Sequence, residues 1–299
     1  MIQIMKIDER YFPSLNRVFS PLVLNDLIRY GKSNYFDEVI NNSGIGSMID
    51  MSQRLRDFFD GLYNLLSRHY CSEYVYKNAL TEQVYLGNHF ESSHMLTELR
   101  VASCKADVVI LNGTSTVYEI KSDLDSLDRL EAQISAYTSF FDRINVIASL
   151  SQAANLNNRL RSDIGIMALS PDNSIEVLRE SQPNKYHVKP SVIFSTFRKS
   201  EYLQIIEDNF GFVPNVPNTR IHQACFELFC ELTPETAHDA MLEVLQRRGN
   251  TKQLKDFVNK APRSLKASAA SYNINNSWID KFLALLEQST YSVLSHNTY

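Results

Sequence analysis

Apolar residues recur at intervals of three and four between Leu15 and His69, with Val23, Leu27 and Tyr30 and then Leu55, Phe58, Phe59, Leu62 and Leu66 forming stripes, so this region reads as helices. The run Asn41-Asn42-Ser43-Gly44-Ile45-Gly46-Ser47 has turn-forming residues and divides it into two or three. A further helix is expected over 78–86. From Met95 the texture changes to β-type runs at 96–101, 106–111, 116–121 and 144–149. Ala102-Ser103-Cys104-Lys105 joins the first two runs. Asn112-Gly113-Thr114-Ser115 joins the second and third, and its Asn-Gly favours the positive φ of a tight hairpin. Three antiparallel strands follow.

Leu127, Leu130, Ile134, Tyr137 and Phe141 advance by three, four, three and four, while Asp125, Asp128, Arg129, Glu131 and Asp142 occupy much of the other face. This predicts an amphipathic helix on the sheet, of the right length to be the crossover of a β-α-β unit into 144–149. Runs at 164–169 and 175–178 flank Ser170-Pro171-Asp172-Asn173 and extend or cap the sheet. After Pro190 the β texture fades, and 221–286 is mainly helical, with breaks near Pro234, Gly249, Pro262 and Asn273-Ile274-Asn275-Asn276. The fold class expected is α/β, a mixed-sheet core over 71–190 with a helical N-terminal region over 1–70 and a helical C-terminal lobe over 191–299.

Composition narrows the function. The 299 residues are 44% apolar and 21% charged, and no run of apolar residues is long enough to cross a membrane. Met1 to Arg10 carries charges and lacks the apolar core of a secretory signal, so a cytoplasmic location is expected. Cys71, Cys104, Cys225 and Cys230 form no C-x-x-C pair, and His222 is only a loose neighbour of Cys225; buried reduced thiols are expected rather than a disulfide framework or a zinc site. No nucleophile-elbow glycines surround Ser151, Ser162 or Ser174, and no Gly-rich phosphate loop precedes a helix, which leaves serine hydrolase and nucleotide triphosphatase chemistry unsupported and requires no ATP. The net charge of -4 argues against a cationic coat. Arg247, Arg248, Lys252, Lys255, Lys260, Arg263 and Lys266 nevertheless make a local basic stretch interrupted by Asp256, which reads either as a surface tracking a DNA backbone or as a solvated helix face.

The chemistry centres on Tyr118-Glu119-Ile120-Lys121. Side chains alternate along a strand, so Glu119 and Lys121 share one face and Tyr118 and Ile120 the other. Asp107 opens the neighbouring strand, where the hairpin brings it towards Glu119. Two adjacent carboxylates repel, and a divalent ion held by oxygen ligands, Mg2+ or Mn2+, compensates. Lys121 would orient or deprotonate an attacking water or stabilise charge on phosphate oxygens. Glu98 on the first strand is a third carboxylate for this end of the sheet, with Glu82 on the preceding helix as its rival. An acid and a lysine two apart are also common on a solvated strand face, so the tripeptide alone decides nothing.

Asp107 followed twelve residues later by Glu119-Ile120-Lys121, across a hairpin, resembles the PD-(D/E)XK nuclease superfamily with its restriction-endonuclease-like core; Ala106 stands where that family often has proline. Gln133-Ile134-Ser135-Ala136-Tyr137 is similar to the Q-x-x-x-Y motif of the RecB-like branch, and Gln133 and Tyr137 would share a helix face. Tyr76-Lys77-Asn78-Ala79-Leu80, Thr97-Glu98-Leu99-Arg100 and Phe141-Asp142-Arg143 add a likeness to poorly characterised bacterial proteins carrying this core, over roughly residues 70–180. The resemblance implies a metal-dependent deoxyribonuclease of defence, repair or mobile-element biology, in which Asp107 and Glu119 ligate the metal, Ile120 offers its backbone carbonyl, Lys121 is the catalytic lysine, and Gln133 and Tyr137 support it. Glu98 is carried as a further metal ligand, and His89 as a histidine some members add. The alternative is a catalytically silent module of the same fold that binds nucleic acid or a protein partner. Whether the chain forms a homo-oligomer, and whether RNA replaces DNA, stays open in the sequence.

Overall fold

The runs of alternating and continuous apolar residues from His94 onward build one sheet. In the computed structural model, which describes residues 8–87, 93–248, 252–271 and 276–294, its strands are β1 (His94–Val101), β2 (Cys104–Leu111), β3 (Ser115–Lys121), β4 (Arg143–Ser149), β5 (Gly165–Leu169) and β6 (Ile175–Arg179), side by side in chain order. β1, β2 and β3 are antiparallel, β3, β4 and β5 are parallel, and β6 returns antiparallel to β5. The fold is therefore mixed α/β with helical additions, as the patterning predicts. Gly113 takes φ 68° in the β2–β3 turn, the left-handed conformation that makes glycine useful there.

The helices are α1 (Phe12–Asn16), α2 (Pro21–Tyr30), α3 (Asn34–Ser43), α4 (Leu55–His69), α5 (Glu73–Leu80), α6 (Leu130–Thr138), α7 (Leu150–Arg159), α8 (Pro190–Phe194), α9 (Lys199–Phe210), α10 (Asn218–Phe229), α11 (Pro234–Arg247), α12 (Lys252–Lys260), α13 (Lys266–Ser271), α14 (Asn276–Leu286) and α15 (Thr290–Val293). The helix expected over 78–86 starts earlier, at Glu73, and runs on as a π turn over Thr81–Tyr85. The helix expected from Leu127 begins only at Leu130, because Asp125 turns back to accept hydrogen bonds from the Ser122 backbone N–H (2.9 Å) and hydroxyl (2.6 Å), closing a loop instead of joining the helical face.

Two compact units divide the chain, 1–86 with 171–174 and 251–299, and 87–170 with 175–250. Segment 191–299, which reads as a single lobe by sequence, contributes to both. In the sheet unit, Phe194, Tyr202, Ile206, Phe229 and Met241 of α8 to α11 share one core with Val109, Val117, Val146 and Ala168 of the strands. Helical periodicity identifies an apolar face but not what covers it, which is why this partition was hidden. In the helical unit, Asn78 is fully buried; its amide donates to Arg263 O (2.9 Å) and its carbonyl accepts from Ala267 N (3.0 Å), tying the C-terminal helices to α5. Tyr74 adds a hydrogen bond to Ser264 O (2.7 Å) and its ring stacks on Phe19. Among the described residues no helix is long and apolar enough to cross a membrane. Of the cysteines only Cys225 is buried; Cys71 and Cys104 are intermediate and Cys230 is exposed, which corrects the expectation of four buried thiols.

Gly165 pairs with Asn145 across β4 and β5, where there is no room for a side chain. A Cβ there would stand 2.0 Å from Asn145 Oδ1 and 2.9 Å from the Ser181 backbone nitrogen. Gly165→Ala must displace backbone as well as the Asn145 side chain, and is expected to lower unfolding free energy by about 1–3 kcal/mol in a urea titration.

Candidate active site

β3 carries Val117, Glu119 and Lys121 on the face where α6 and the β2 residues Val109 and Leu111 pack, so both charged side chains point into the core side of the sheet. Glu119 is 1% exposed and Lys121 6%. Each is tolerable only because the other is present: Lys121 Nζ donates to Glu119 Oε1 at 2.9 Å. α6 completes the circuit. Gln133 Oε1 accepts from Lys121 Nζ at 3.0 Å while Gln133 Nε2 donates to Glu119 Oε1. Tyr137 Oη lies 2.7 Å from Glu119 Oε2 and 3.0 Å from the carbonyl of Lys105. A phenol has one proton, and the shorter, charge-assisted bond to the carboxylate takes it. Burial first, and then the charge of Glu119, push the Tyr137 hydroxyl well above its ordinary pKa, so it stays a donor.

Asp107 sits one step beyond Val108↔Tyr118, the last pair of the β2–β3 ladder, and so across from Glu119 in the continuing register. The ladder stops there, and the Asp107 carboxylate bonds the strand instead, Oδ2 accepting from Ile120 N at 2.8 Å. Glu98 lies opposite Asp107 on β1, between the pairs Thr97↔Val108 and Leu99↔Ala106, with φ 59°. A left-handed glutamate inside a strand costs about 1–2 kcal/mol and breaks the pairing at that position. Its carboxylate is ion-paired with Lys105.

One oxygen each of Glu98 and Asp107 lies within 4.8 Å of the other, a span that one cation with oxygen ligands at about 2.0–2.6 Å can bridge. This all-oxygen donor set suits Mg2+ or Mn2+ and not a thiolate-seeking metal. Glu119 is arranged differently: Lys121 and Gln133 occupy Oε1 and Tyr137 one site of Oε2, which leaves the second lone pair of Oε2 for a cation. Glu82 belongs to the helical unit, where Arg263 holds it at 3.0 Å. His89 lies outside the described residues.

Lys105 escaped the sequence reading, which put it in a turn. β2 starts at Cys104, so the two-residue period places Lys105 on the face of Asp107, a signal legible once the strand start is right. Also unforeseen is a buried polar cluster at the opposite end of β3. Ser115 Oγ and His238 Nε2 of α11 are 2.7 Å apart, Ser115 Oγ accepts from Asp142 N (3.1 Å), and the Asp142 carboxylate accepts from Thr114 Oγ1, Asn184 N and Lys185 N at 2.7–2.9 Å. Ser115 is fully buried, so this cluster is a structural latch and not an exposed nucleophile. Burial, followed by repulsion from Lys185, lowers the His238 pKa below 6.5. The folded state therefore refuses a proton that the unfolded chain takes up. Stability is expected to be complete above about pH 6.5, to fall by up to about 1.4 kcal/mol per unit between there and the depressed folded pKa, and to level off below it. Melting curves across that range should show the slope in wild type and a flatter profile in His238→Gln.

The basic stretch is divided. Arg247 and Arg248 belong to the sheet unit and Lys252, Lys255, Lys260, Arg263 and Lys266 to the helical unit. Several of its charges are already engaged, Arg248 with Glu201 (2.6 Å), Arg263 with Glu82, and Lys266 with the carbonyls of Val258 (2.7 Å) and Asn259 (3.0 Å).

A solved protein of unknown function from Silicibacter pomeroyi is 16% identical, with a TM-score of 0.31 over 45% of this chain and 88% of that one. Protein cII of Enterobacteria phage P4 is 33% identical over 100 residues, 33% of this chain and 38% of that protein, so the chain covers well under half of that relative's length. The family described as bacteriophage P4 protein cII matches residues 67–271, which include β1 to β6 and all of Glu98, Asp107, Glu119, Lys121, Gln133 and Tyr137. Neither description states an activity. Because that family match spans well over half of its length, the chain belongs to the bacteriophage P4 protein cII family.

Proposed function

We propose that this protein is a metal-dependent nuclease of the PD-(D/E)XK type that hydrolyses DNA phosphodiester bonds in the cytoplasm. The observation that carries the reading is the joining of Glu119, Lys121, Gln133 and Tyr137 in one buried hydrogen-bonded circuit beside Asp107, all five residues that the sequence nominated. Asp107 and Glu98, with Glu119 and the Ile120 carbonyl, would hold Mg2+ or Mn2+. Bound there, the ion would polarise the scissile phosphate and activate water. Gln133 and Tyr137 fix the carboxylate of Glu119 from the α6 side, and Lys121, held between Glu119 and Gln133, supplies a positively charged donor for the attacking water or for charge gathering on the phosphate.

A second reading has its own support. A Glu119 whose oxygens are satisfied by Lys121, Gln133 and Tyr137 is also what a silent scaffold that binds nucleic acid would retain. Incubating the protein with linear, circular and single-stranded DNA in Mg2+, Mn2+ or chelator separates the two. Cleavage that needs metal and disappears in Lys121→Ala supports the nuclease; binding without cleavage under every condition supports the scaffold.

A further inference from the structure

The start of α9 and the end of α11 enclose a groove of about 320 Å³ in the sheet unit, with Arg198, Ser200, Glu201, Gln204, Arg247 and Arg248 on its walls. Three arginines from two chain segments line it, and one of them, Arg248, is bonded to the single carboxylate of Glu201. Glu201 is committed to the scaffold: it accepts from Arg248 Nε (2.8 Å) and Nη2 (2.6 Å) and from the Arg198 backbone N–H (2.6 Å). Arg248 also donates to Thr196 O (2.8 Å), so its fork is fixed by three bonds. Burial alone would raise the Glu201 pKa; the bonds from Arg248 and Arg198 outweigh it and hold the carboxyl below its ordinary value.

That leaves the charge of Arg198 and Arg247 directed at solvent. Arg198 is exposed, and the Arg247 side chain is 70% exposed. The neighbour of Arg247 is Glu243 at 3.4 Å, itself 69% exposed, a screened pair that a stronger anion displaces at little cost. Ser200 contributes a hydroxyl donor, and Gln204, one of whose Nε2 protons goes to Asp208 (2.8 Å), contributes its second amide proton. The first turn of α9 adds the positive end of a twelve-residue helix. Such a groove is shaped for a doubly ionised or repeating anion, with planar forks suited to phosphate oxygens.

We propose that this groove binds the phosphodiester backbone of a DNA strand through Arg198 and Arg247, with Arg248 as the fixed wall that positions it. The proposal rests on the nucleic-acid reading above and assigns it a contact surface outside the Asp107–Glu119–Lys121 circuit.

The test is fluorescence anisotropy with a short labelled DNA duplex and its single strand, on the full chain in chelator so that cleavage cannot intervene. Wild type is compared with Arg198→Gln/Arg247→Gln and with Arg29→Gln/Lys32→Gln, which removes two exposed charges from the helical unit. Each phosphate contact contributes about 0.9 to the slope of log Kd against log salt, so the groove variant is expected to lose nearly two from that slope and about tenfold in affinity at low salt. The control variant should match wild type. Equal slopes in the groove and control variants, or no wild-type binding to either DNA, would overturn the proposal. Wild-type cleavage assays in metal separate this from the nuclease reading: failure of the nuclease reading alone appears as intact, salt-dependent binding with no cleavage.

Discussion

Lys121→Ala is expected to lower the unfolding free energy by about 3–5 kcal/mol, the cost of leaving a buried carboxylate without its counter-charge. Glu119 is 1% exposed, and after the substitution only Gln133 Nε2 and Tyr137 Oη would still donate to it. Those two bonds soften the loss but do not neutralise the charge. Glu119→Ala should cost about as much for the converse reason, since the Lys121 ammonium would be left with Gln133 Oε1 as its acceptor. Removing both charges with Glu119→Gln/Lys121→Met should cost less than Glu119→Gln and Lys121→Met added, with a coupling of about 0.5–3 kcal/mol in that double-mutant cycle. Urea titrations at neutral pH would show this. Single substitutions within about 0.5 kcal/mol of wild type would mean that the pair is solvated and not sealed beneath α6.

Such a sealed pair was partly readable in advance. The two-residue period of β3 puts Glu119 and Lys121 on one face, and the four-residue spacing of Gln133 and Tyr137 puts them on one helix face. The six strands fall close to where β-type composition and the Asn112-Gly113 turn place them. Other features leave no residue-type signature. Tyr137 reaches a backbone carbonyl, that of Lys105, and every residue has one. Glu98 adopts a left-handed φ that glutamate does not advertise, and the ending of the β2–β3 ladder at Val108↔Tyr118 follows from tertiary packing rather than from composition. The association of 251–299 with the N-terminal helices runs through contacts such as the buried Asn78 amide and the Tyr74 hydroxyl, in a segment that looks like any other amphipathic helix.

The largest expected effect on activity is also at Lys121. A positioned proton donor or acceptor contributes about 10²–10⁴ to rate, so Lys121→Ala is expected to reduce metal-dependent DNA cleavage by that factor, to background. Loss of rate could follow from instability, given the ion pair. Asp107→Asn offers an independent handle, because Asp107 is half-buried and outside the Glu119–Lys121 bond, and asparagine keeps an oxygen for the Ile120 N–H. It should leave the melting temperature close to wild type, weaken Mn2+ binding in calorimetry, and remove cleavage. Tyr137→Phe, which deletes a bond to a carboxylate, should cost about 1.5–3 kcal/mol and reduce the rate less than either.

Whether Asp107, Glu119 and Lys121 form a hydrolytic site is tested most directly by single-turnover cleavage of DNA in Mg2+ and in Mn2+ by wild type and Asp107→Asn, at a temperature where melting curves show both folded. Cleavage by wild type that chelator abolishes and Asp107→Asn lacks is the predicted result. Equal cleavage by the two proteins, or none by wild type in either metal on any DNA form, would contradict it.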